Sequence, residues 1–564
     1  MLNLFRLPLI VVALSLIWPL TLAAQPGLDS TIADREIQRQ QEIERQRRQE
    51  MEDQAPDVRF QTQAAPEGAL RYPADEAPCL TINEIVLEGR DADKFQWALE
   101  AVKDAQGRCL GGQGINIVMS RVQNLIVEKG YVTTRIVAAP QDLTTGRLVL
   151  TVIPGRVSGL KLAPGSGGHV ILSTAVPVSK GDILNVRDIE QGLENLKRVP
   201  TATADIQLLP GDEEGESEVV IAWKQGRPFR LSLSVDDSGS KYTGKYQSNA
   251  TVSLDNILGF SDLFYASMSR NLEQRHPYGT KGHSFYYSLP VGYWEFTVSS
   301  NYYRYHQQVA GYQTNYEYSG TNHGTTLEAA RVMHRGSKSK TTVSFSGFVN
   351  ESRNYIDGTE LEIQRRRMAG WEAAANHRHY IGALTLDAEA RFHRGTGAFD
   401  ALAAPEEMTG EGTSRPEILK INLRAQYPFQ LGGLNFRYTG NWRQQWAFDK
   451  LVSRDRISIG GRYTVRGYDG DMTLSADNGF IFRNELGLAL GQSGQELYTG
   501  LDFGRVWGPQ DQYLLGNSLS GATLGLRGYF KGFSYDVFAS TPVNKPKGFP
   551  GDKVQTGFSV AWQF

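Results

Sequence analysis

The chain has 564 residues, 40% of them hydrophobic, and its 59 basic and 61 acidic side chains leave a net charge of -2. That length admits several domains at ~150 residues each. The balanced charge, with no basic block, argues against a nucleic acid partner, and after the first two dozen residues no apolar run approaches the ~18 that a membrane-spanning helix needs. The 2 cysteines exclude a disulfide scaffold or a zinc ribbon.

Residues 1–24 read as a secretory signal peptide. Arg6 gives the basic start, residues 9–17 the apolar stretch, and Thr21-Leu22-Ala23 the small-x-small cleavage site. Pro8, Pro19 and the short run speak against a membrane anchor. Residues 30–53 read as a helix, free of Gly and Pro and rich in Gln, Glu and Arg. Glu44 and Arg48 stand at i,i+4 in the favourable order. Ile32, Ile37, Ile43 and Met51 form no continuous stripe, so the helix either sits in a wet cavity or is a frayed terminal segment. Residues 55–77, with Pro56, Pro66 and Pro73, form an extended linker.

Residues 78–154 read as a compact α+β module. A strand over 80–87 ends at Gly89. Helices follow over 93–105 and 120–129, the second closed by Gly130 at C′, and strands over 132–138 and 148–153 complete a βααββ order. Residues 155–226 repeat the theme, with a strand over 157–162, a helix over 186–198 capped by Asn185, and strands over 204–209 and 218–223. Export places Cys79 and Cys109 in an oxidising compartment. They either form a disulfide, which contributes ~3–4 kcal/mol on the chain-entropy model, or remain two buried thiols.

From residue 227 the chain turns all-β. Leu384, Leu386, Ala388, Ala390 and Phe392 alternate with Thr385, Asp387, Glu389, Arg391 and His393, and the terminal Phe558, Val560, Trp562 and Phe564 alternate with smaller or polar residues. Of the 25 tyrosines only Tyr72 and Tyr131 precede residue 230, which fits aromatic girdles on a membrane barrel. Short turns (Pro290-Val291-Gly292, Gly432-Gly433) alternate with longer polar loops. Residues 227–564 divide into sixteen units of about 21 residues, one strand and one loop each. The expected fold is therefore two α+β modules followed by a 16-stranded transmembrane β-barrel, closed because lipid cannot satisfy an open sheet edge. A barrel of that width encloses water, and the polar helix over 25–54 finds a home there as a plug.

One long segment, residues 448–476, carries Val465-Arg466-Gly467-Tyr468. Downstream lies Gly500-Leu501-Asp502. In that strand Leu497, Leu501 and Phe503 share the lipid face, whereas Tyr498, Gly500 and Asp502 share the lumenal one. Arg466 offers a bidentate fork to a lumenal carboxylate such as Asp502, and Gly467 permits a sharp turn beside it. The alternative is that the two are unrelated polar lumen residues.

These motifs, the two βααββ modules and the terminal Phe564 resemble the outer-membrane-protein-85 superfamily. Within it the chain is similar to the two-partner secretion transporters of the FhaC/ShlB/CdiB type. Further matching stretches are residues 130–156, Leu209-Pro210-Gly211 and residues 256–262. Tyr468 stands where many members have Phe. The resemblance implies an outer-membrane location in a Gram-negative bacterium, with two periplasmic POTRA modules (78–154 and 155–226) that catch an unfolded exoprotein and a barrel that conducts it. It also implies outer-membrane lipid and the cell's barrel assembly machinery as partners, one large cognate exoprotein as cargo (adhesin, haemolysin or contact-dependent inhibition toxin), and no cofactor.

Three other classes compete. An outer-membrane enzyme would need a catalytic set, but no GxSxG and no metal-spaced His/Cys/Glu group occurs, and His306, His377 and His379 read as barrel or loop surface. No GxxxxGK[ST] is present for nucleotide-driven transport. A general barrel assembly factor shares the VRGY loop but usually carries more modules and no plug. A passive porin has no reason to carry the modules.

Overall fold

The computed structural model describes residues 32–54, 56–60, 70–273, 278–312 and 314–564. The signal peptide read over 1–24, the start of the plug segment and the linker stretch 61–69 lie outside the described residues.

From Phe229 to Gln563 the alternating sequence forms one closed antiparallel sheet in which each strand pairs with the next in the chain. Its seventeen paired segments include one stub, Thr359–Glu360, attached to the strand Ser339–Ile356, which leaves sixteen spanning strands among the described residues. Closure comes from the last strand, Gln555–Gln563, pairing with the first, Phe229–Asp236. There the amide of Phe564 donates to the Leu231 carbonyl at 2.9 Å, and the Leu231 amide donates to the Phe564 carbonyl at 3.2 Å. Alternation puts charge inside and apolar groups outside. Along Gln495–Trp507, Leu497, Leu501 and Phe503 are exposed on the outer face, whereas Tyr498, Gly500 and Asp502 are buried on the inner one.

The short turns sit on the module side of the barrel. Gly432 and Gly433 both have positive φ, 59° and 78°, which is the two-residue turn that suits twisted hairpins. The turn expected at Pro290-Val291-Gly292 is shifted. Pro290 and Val291 still pair with Glu295 and Trp294, and the chain reverses at Gly292-Tyr293. Gly292 supplies the left-handed conformation that the reversal needs (φ 59°).

The helix Ile32–Gln54 lies within the barrel. Its pairing differs from the expected Glu44–Arg48. Glu44 instead accepts from Arg47 at 3.2 Å, because an i,i+3 neighbour also lies on the same helix face.

Each module is a three-stranded sheet covered by helices. In the first, Arg147–Ile153 is central, parallel to Glu84–Glu88 and antiparallel to Arg135–Val137. The single strand expected over 80–87 breaks at Asn83, because the Gly146 carbonyl accepts from both Asn83 and Glu84 at 2.7 and 3.1 Å. Leu80–Ile82 then pairs separately with Arg108–Leu110. Cys79 and Cys109 are joined in a disulfide at the end of this small ribbon. The second helix runs over Gly112–Glu128 rather than from 120. Its extra turns are capped by a remote group: the Glu76 carboxylate accepts from the amides of Gly111, Gln113 and Gly114 at 2.6–3.0 Å. Burial opposes its charge, but these three amides hold the Glu76 carboxyl below its ordinary range.

The second module repeats the plan with Glu216–Gln225 central between Arg156–Leu162 and Ala202–Pro210. Asn185 caps the helix Val186–Lys197 through Arg187 N at 2.9 Å. A one-turn helix, Leu172–Ala175, was not legible in the sequence. Leu184, Ile189, Leu193, Leu196 and Trp223 form the core, into which Val58 of the linker also packs.

Candidate functional site: a loop latched inside the lumen

Between the strands Leu434–Ala447 and Asn478–Ala489 the chain folds inward. Ile457–Ile459 pairs with Leu474–Ala476 to form a small hairpin inside the barrel. Its apolar side explains why the loop goes in rather than out to water. Ile459, Val465, Tyr468, Leu474 and Ala476 pack with Ile481, Val506, Leu519 and Phe549 from the wall and a facing loop.

Arg466 stands at the hairpin tip with its side chain 5% exposed, facing Asp502 at 1%. Nε donates to Asp502 Oδ2 at 2.6 Å and Nη2 to Oδ1 at 2.7 Å, a two-pronged fork. The Arg466 backbone amide adds a third bond to Oδ2 at 3.0 Å. Nη1 donates to Glu485 Oε2 at 2.9 Å. Glu485 in turn accepts from Arg527 at 2.6 Å, so the latch is a chain of alternating charges on three adjacent strands. Tyr468 donates from its hydroxyl to the backbone carbonyls of Ser520 and Asn544 at 3.1 and 2.9 Å, and its ring meets Phe549 edge-on at 5.6 Å.

Glycine makes the room. Gly467 has φ 105°, and a Cβ there would lie 2.6 Å from the Thr541 carbonyl oxygen. A Cβ on Gly500 would meet the Arg466 guanidinium at 2.3 Å, one on Gly504 would meet Ile459 and Val465 at 2.8 Å, and one on Gly521 would meet the Arg466 carbonyl at 1.7 Å. Every expected member of the site (Val465, Arg466, Gly467, Tyr468, Gly500, Asp502) is thus in one contact region. Sequence reasoning missed Glu485, Arg527, Phe549, Gly504 and Gly521. The two glycines had a signal: both stand at inward parity on strands beside the loop. Glu485 and Arg527 had none, since many lumenal positions carry charge.

The loop also grips the helix. Arg35 and Arg39 donate to the carbonyls of Asp471 and Gly470 at 2.7 and 2.9 Å, and Gln38 donates to Ser453 at 2.7 Å. The wall contributes Tyr303, whose hydroxyl donates to Glu36 at 2.5 Å, and Arg443, paired with Glu42 at 2.7 Å. Latch, loop and helix therefore form one polar assembly across the lumen.

The second module is fastened beneath. Arg335, at the end of a barrel strand, donates to Glu190, Gln191 and Glu194 of the helix Val186–Lys197 and to the Val58 carbonyl, at 2.6–3.3 Å. Lys340 also pairs with Glu194. Burial alone would raise the Glu194 carboxyl, but Lys340 and Arg335 outweigh it and hold the group below its ordinary range. His377 and His379, the tempting bases, stack on each other at 5.8 Å, and His377 bonds the Thr341 hydroxyl.

A closed sixteen-stranded barrel with an occupied lumen and two α+β modules at its amino-terminal side defines a class: an outer-membrane barrel that carries periplasmic modules. The family described as haemolysin secretion/activation protein ShlB/FhaC/HecB matches residues 215–528. The ShlB-type POTRA domain matches residues 80–155, and a further POTRA domain matches 158–210. The outer membrane transporter CdiB-2 of Burkholderia pseudomallei is 33% identical over 96% of both chains. The haemolysin transporter ShlB of Serratia marcescens is 25% identical over 77% of both. Among solved structures, CdiB from Acinetobacter baumannii superposes with a TM-score of 0.85 at 29% identity, covering 95% of this chain and 99% of that one. The chain belongs to the ShlB/FhaC/HecB family, the two-partner secretion transporters of the outer-membrane-protein-85 superfamily. It is an outer-membrane protein with periplasmic POTRA modules and a secretion pore for exoproteins.

Proposed function

We propose that the protein captures one large unfolded exoprotein on its second POTRA module and passes it through the barrel without nucleotide hydrolysis. The cargo is an adhesin, haemolysin or contact-dependent inhibition toxin, the class that the family resemblance implies. The observation that carries the capture step is an open sheet edge. Ile206 N bonds only the adjacent Asp205 carboxylate, at 3.0 Å, so it points away from the central strand. By alternation the amides of Ala204 and Leu208 point the same way, and among the described residues neither has a partner. An extended segment can add there as a further strand, with main-chain bonds giving affinity and side-chain pockets giving choice. The matching edge of the first module is blocked. Gln123 accepts from Ile136 N at 2.9 Å and donates to the Thr134 carbonyl at 2.8 Å, as a strand would.

Passage then requires the helix Ile32–Gln54 to leave or shift, while the Arg466–Asp502 latch keeps the loop against the wall and the conduit open. Folding of the cargo outside prevents backsliding and supplies direction. Outer-membrane lipid surrounds the barrel as a partner, and the barrel assembly machinery serves the protein's own insertion. The test is Leu208→Pro, which removes one outward donor while sparing the bonds to the central strand. Cells carrying it should assemble the barrel normally and release far less exoprotein to the medium. Undiminished release would remove this edge as the capture site.

A further inference from the structure

The outer face of the barrel does not end where its strands end. Phe229 and Leu254 stand opposite each other in the pairing of the first two strands, on the face that also carries Leu231 and Leu233. This is the lipid face. Below it the turn over 256–262 exposes Ile257 and Leu258, and the second module adds Ile171, 38% exposed. Ile171 is fixed at that level: its amide donates to the Gly259 carbonyl at 2.8 Å. The three side chains continue the lipid-facing belt onto a POTRA module that otherwise faces water.

Behind this step lies a cavity of about 470 Å³, lined by Gly168, His169, Trp223, Pro228, Leu254 and Ile257 among others. That volume falls within the ~300–1,000 Å³ of ligand pockets. The side chains of Gln225, Asn256 and His169 in its lining are already bonded to protein groups. Gln225 donates to the Asp255 carbonyl at 2.9 Å, Asn256 donates to the His169 carbonyl at 2.7 Å and to Gln225 Oε1 at 3.0 Å, and His169 Nε2 meets the Ile257 carbonyl at 3.1 Å. Among the described residues, no Asp, Glu, Lys or Arg lines it. A polar occupant would be desolvated without compensation, whereas an apolar one would lose nothing.

We propose that the junction of the second POTRA module with the barrel is a phospholipid site. A lipid of the periplasmic leaflet lays an acyl chain in the cavity, and Ile171, Ile257 and Leu258 sit at the boundary between headgroups and acyl chains. The module is thereby tethered to the membrane surface as well as to the barrel. The site requires the outer-membrane location and is independent of how cargo is captured.

Nitroxide labels test the depth. The native cysteines are bonded to each other, so Ile171→Cys and, as a control, Leu209→Cys on the far edge of the same module each offer one thiol. In phospholipid vesicles the label at 171 should be relaxed by oxygen and shielded from a water-soluble nickel chelate, and the label at 209 should show the reverse. Equal nickel access at both positions overturns the proposal. Gly168→Phe tests the cavity. A Cβ at 168 meets nothing within 4 Å, so the variant should fold and fill the space. Native mass spectrometry after detergent exchange should find a phospholipid retained by the wild-type full chain and lost from Gly168→Phe. Retention by both, or by neither, overturns the acyl-chain site.

Discussion

Asp502→Ala is the perturbation whose size the structure fixes best. It takes two prongs of the guanidinium fork and one backbone bond from Arg466 and leaves that cation 5% exposed. Breaking one side of a buried pair costs about 3–5 kcal/mol. Glu485 keeps one prong, at 2.9 Å, which places the expected loss near the low end, ~3 kcal/mol. The loss falls on docking of the loop, because the barrel ladder does not involve Arg466. At 1.36 kcal/mol per factor of ten, exchange of the amides around 463–470 should accelerate ~10²-fold. Hydrogen exchange of the full chain in micelles reads this directly, with the amides of Gln495–Trp507 as an internal control. Asp502→Asn, which keeps shape and drops charge, should fall between. The double variant Arg466→Ala/Asp502→Ala should be no worse than the poorer single, since the two side chains act as one unit. Loop exchange unchanged in Asp502→Ala, or effects of the singles that simply add, would refute the latch.

Gly521→Ala should undock the loop from a different direction, because its Cβ falls 1.7 Å from the Arg466 carbonyl; the same exchange measurement should show a fast loop on an intact barrel. Arg335→Ala should loosen the second module, seen as a broadened module-to-barrel distance distribution by pulsed electron resonance. The same distance should depend on acid. The folded Glu194 carboxyl lies below its ordinary value of 4.5, so its contribution is present above that pH and is lost only as pH falls through the lower, folded value; Lys340→Ala should move the transition upward. Replacing Cys79 and Cys109 together by Ser should cost the first module ~3–4 kcal/mol, given their separation of 30 residues, and protease should then cut that module first.

What the sequence disclosed followed from how local each signal is. Period-two alternation exposed the barrel because lumen and lipid impose opposite chemistry on neighbouring residues, and parity alone put Asp502 inside. Asn185 and Gly130 were legible because capping acts within a turn. The start of the helix Gly112–Glu128 was hidden because its cap, Glu76, comes from before the disulfide ribbon. The break at Asn83 depends on Gly146, and the turn at Gly292-Tyr293 on the register of its flanking strands. At the site, the forked pair was readable from Arg466 and Asp502 because a buried guanidinium needs a carboxylate. Glu485 and Arg527 were not, since a wet lumen tolerates charge almost anywhere. The blocked edge at Gln123 against the open one at Leu208 is a matter of side-chain direction, which sequence does not give.

The central claim is that this barrel serves one exported partner. The measurement that tests it most directly compares the culture-medium and outer-membrane proteomes of the native cell with and without this protein. Loss of a single large exoprotein from the medium, with other outer-membrane barrels at normal abundance, is the predicted result. Depletion of many barrels from the outer membrane would contradict it and make the protein a general assembly factor.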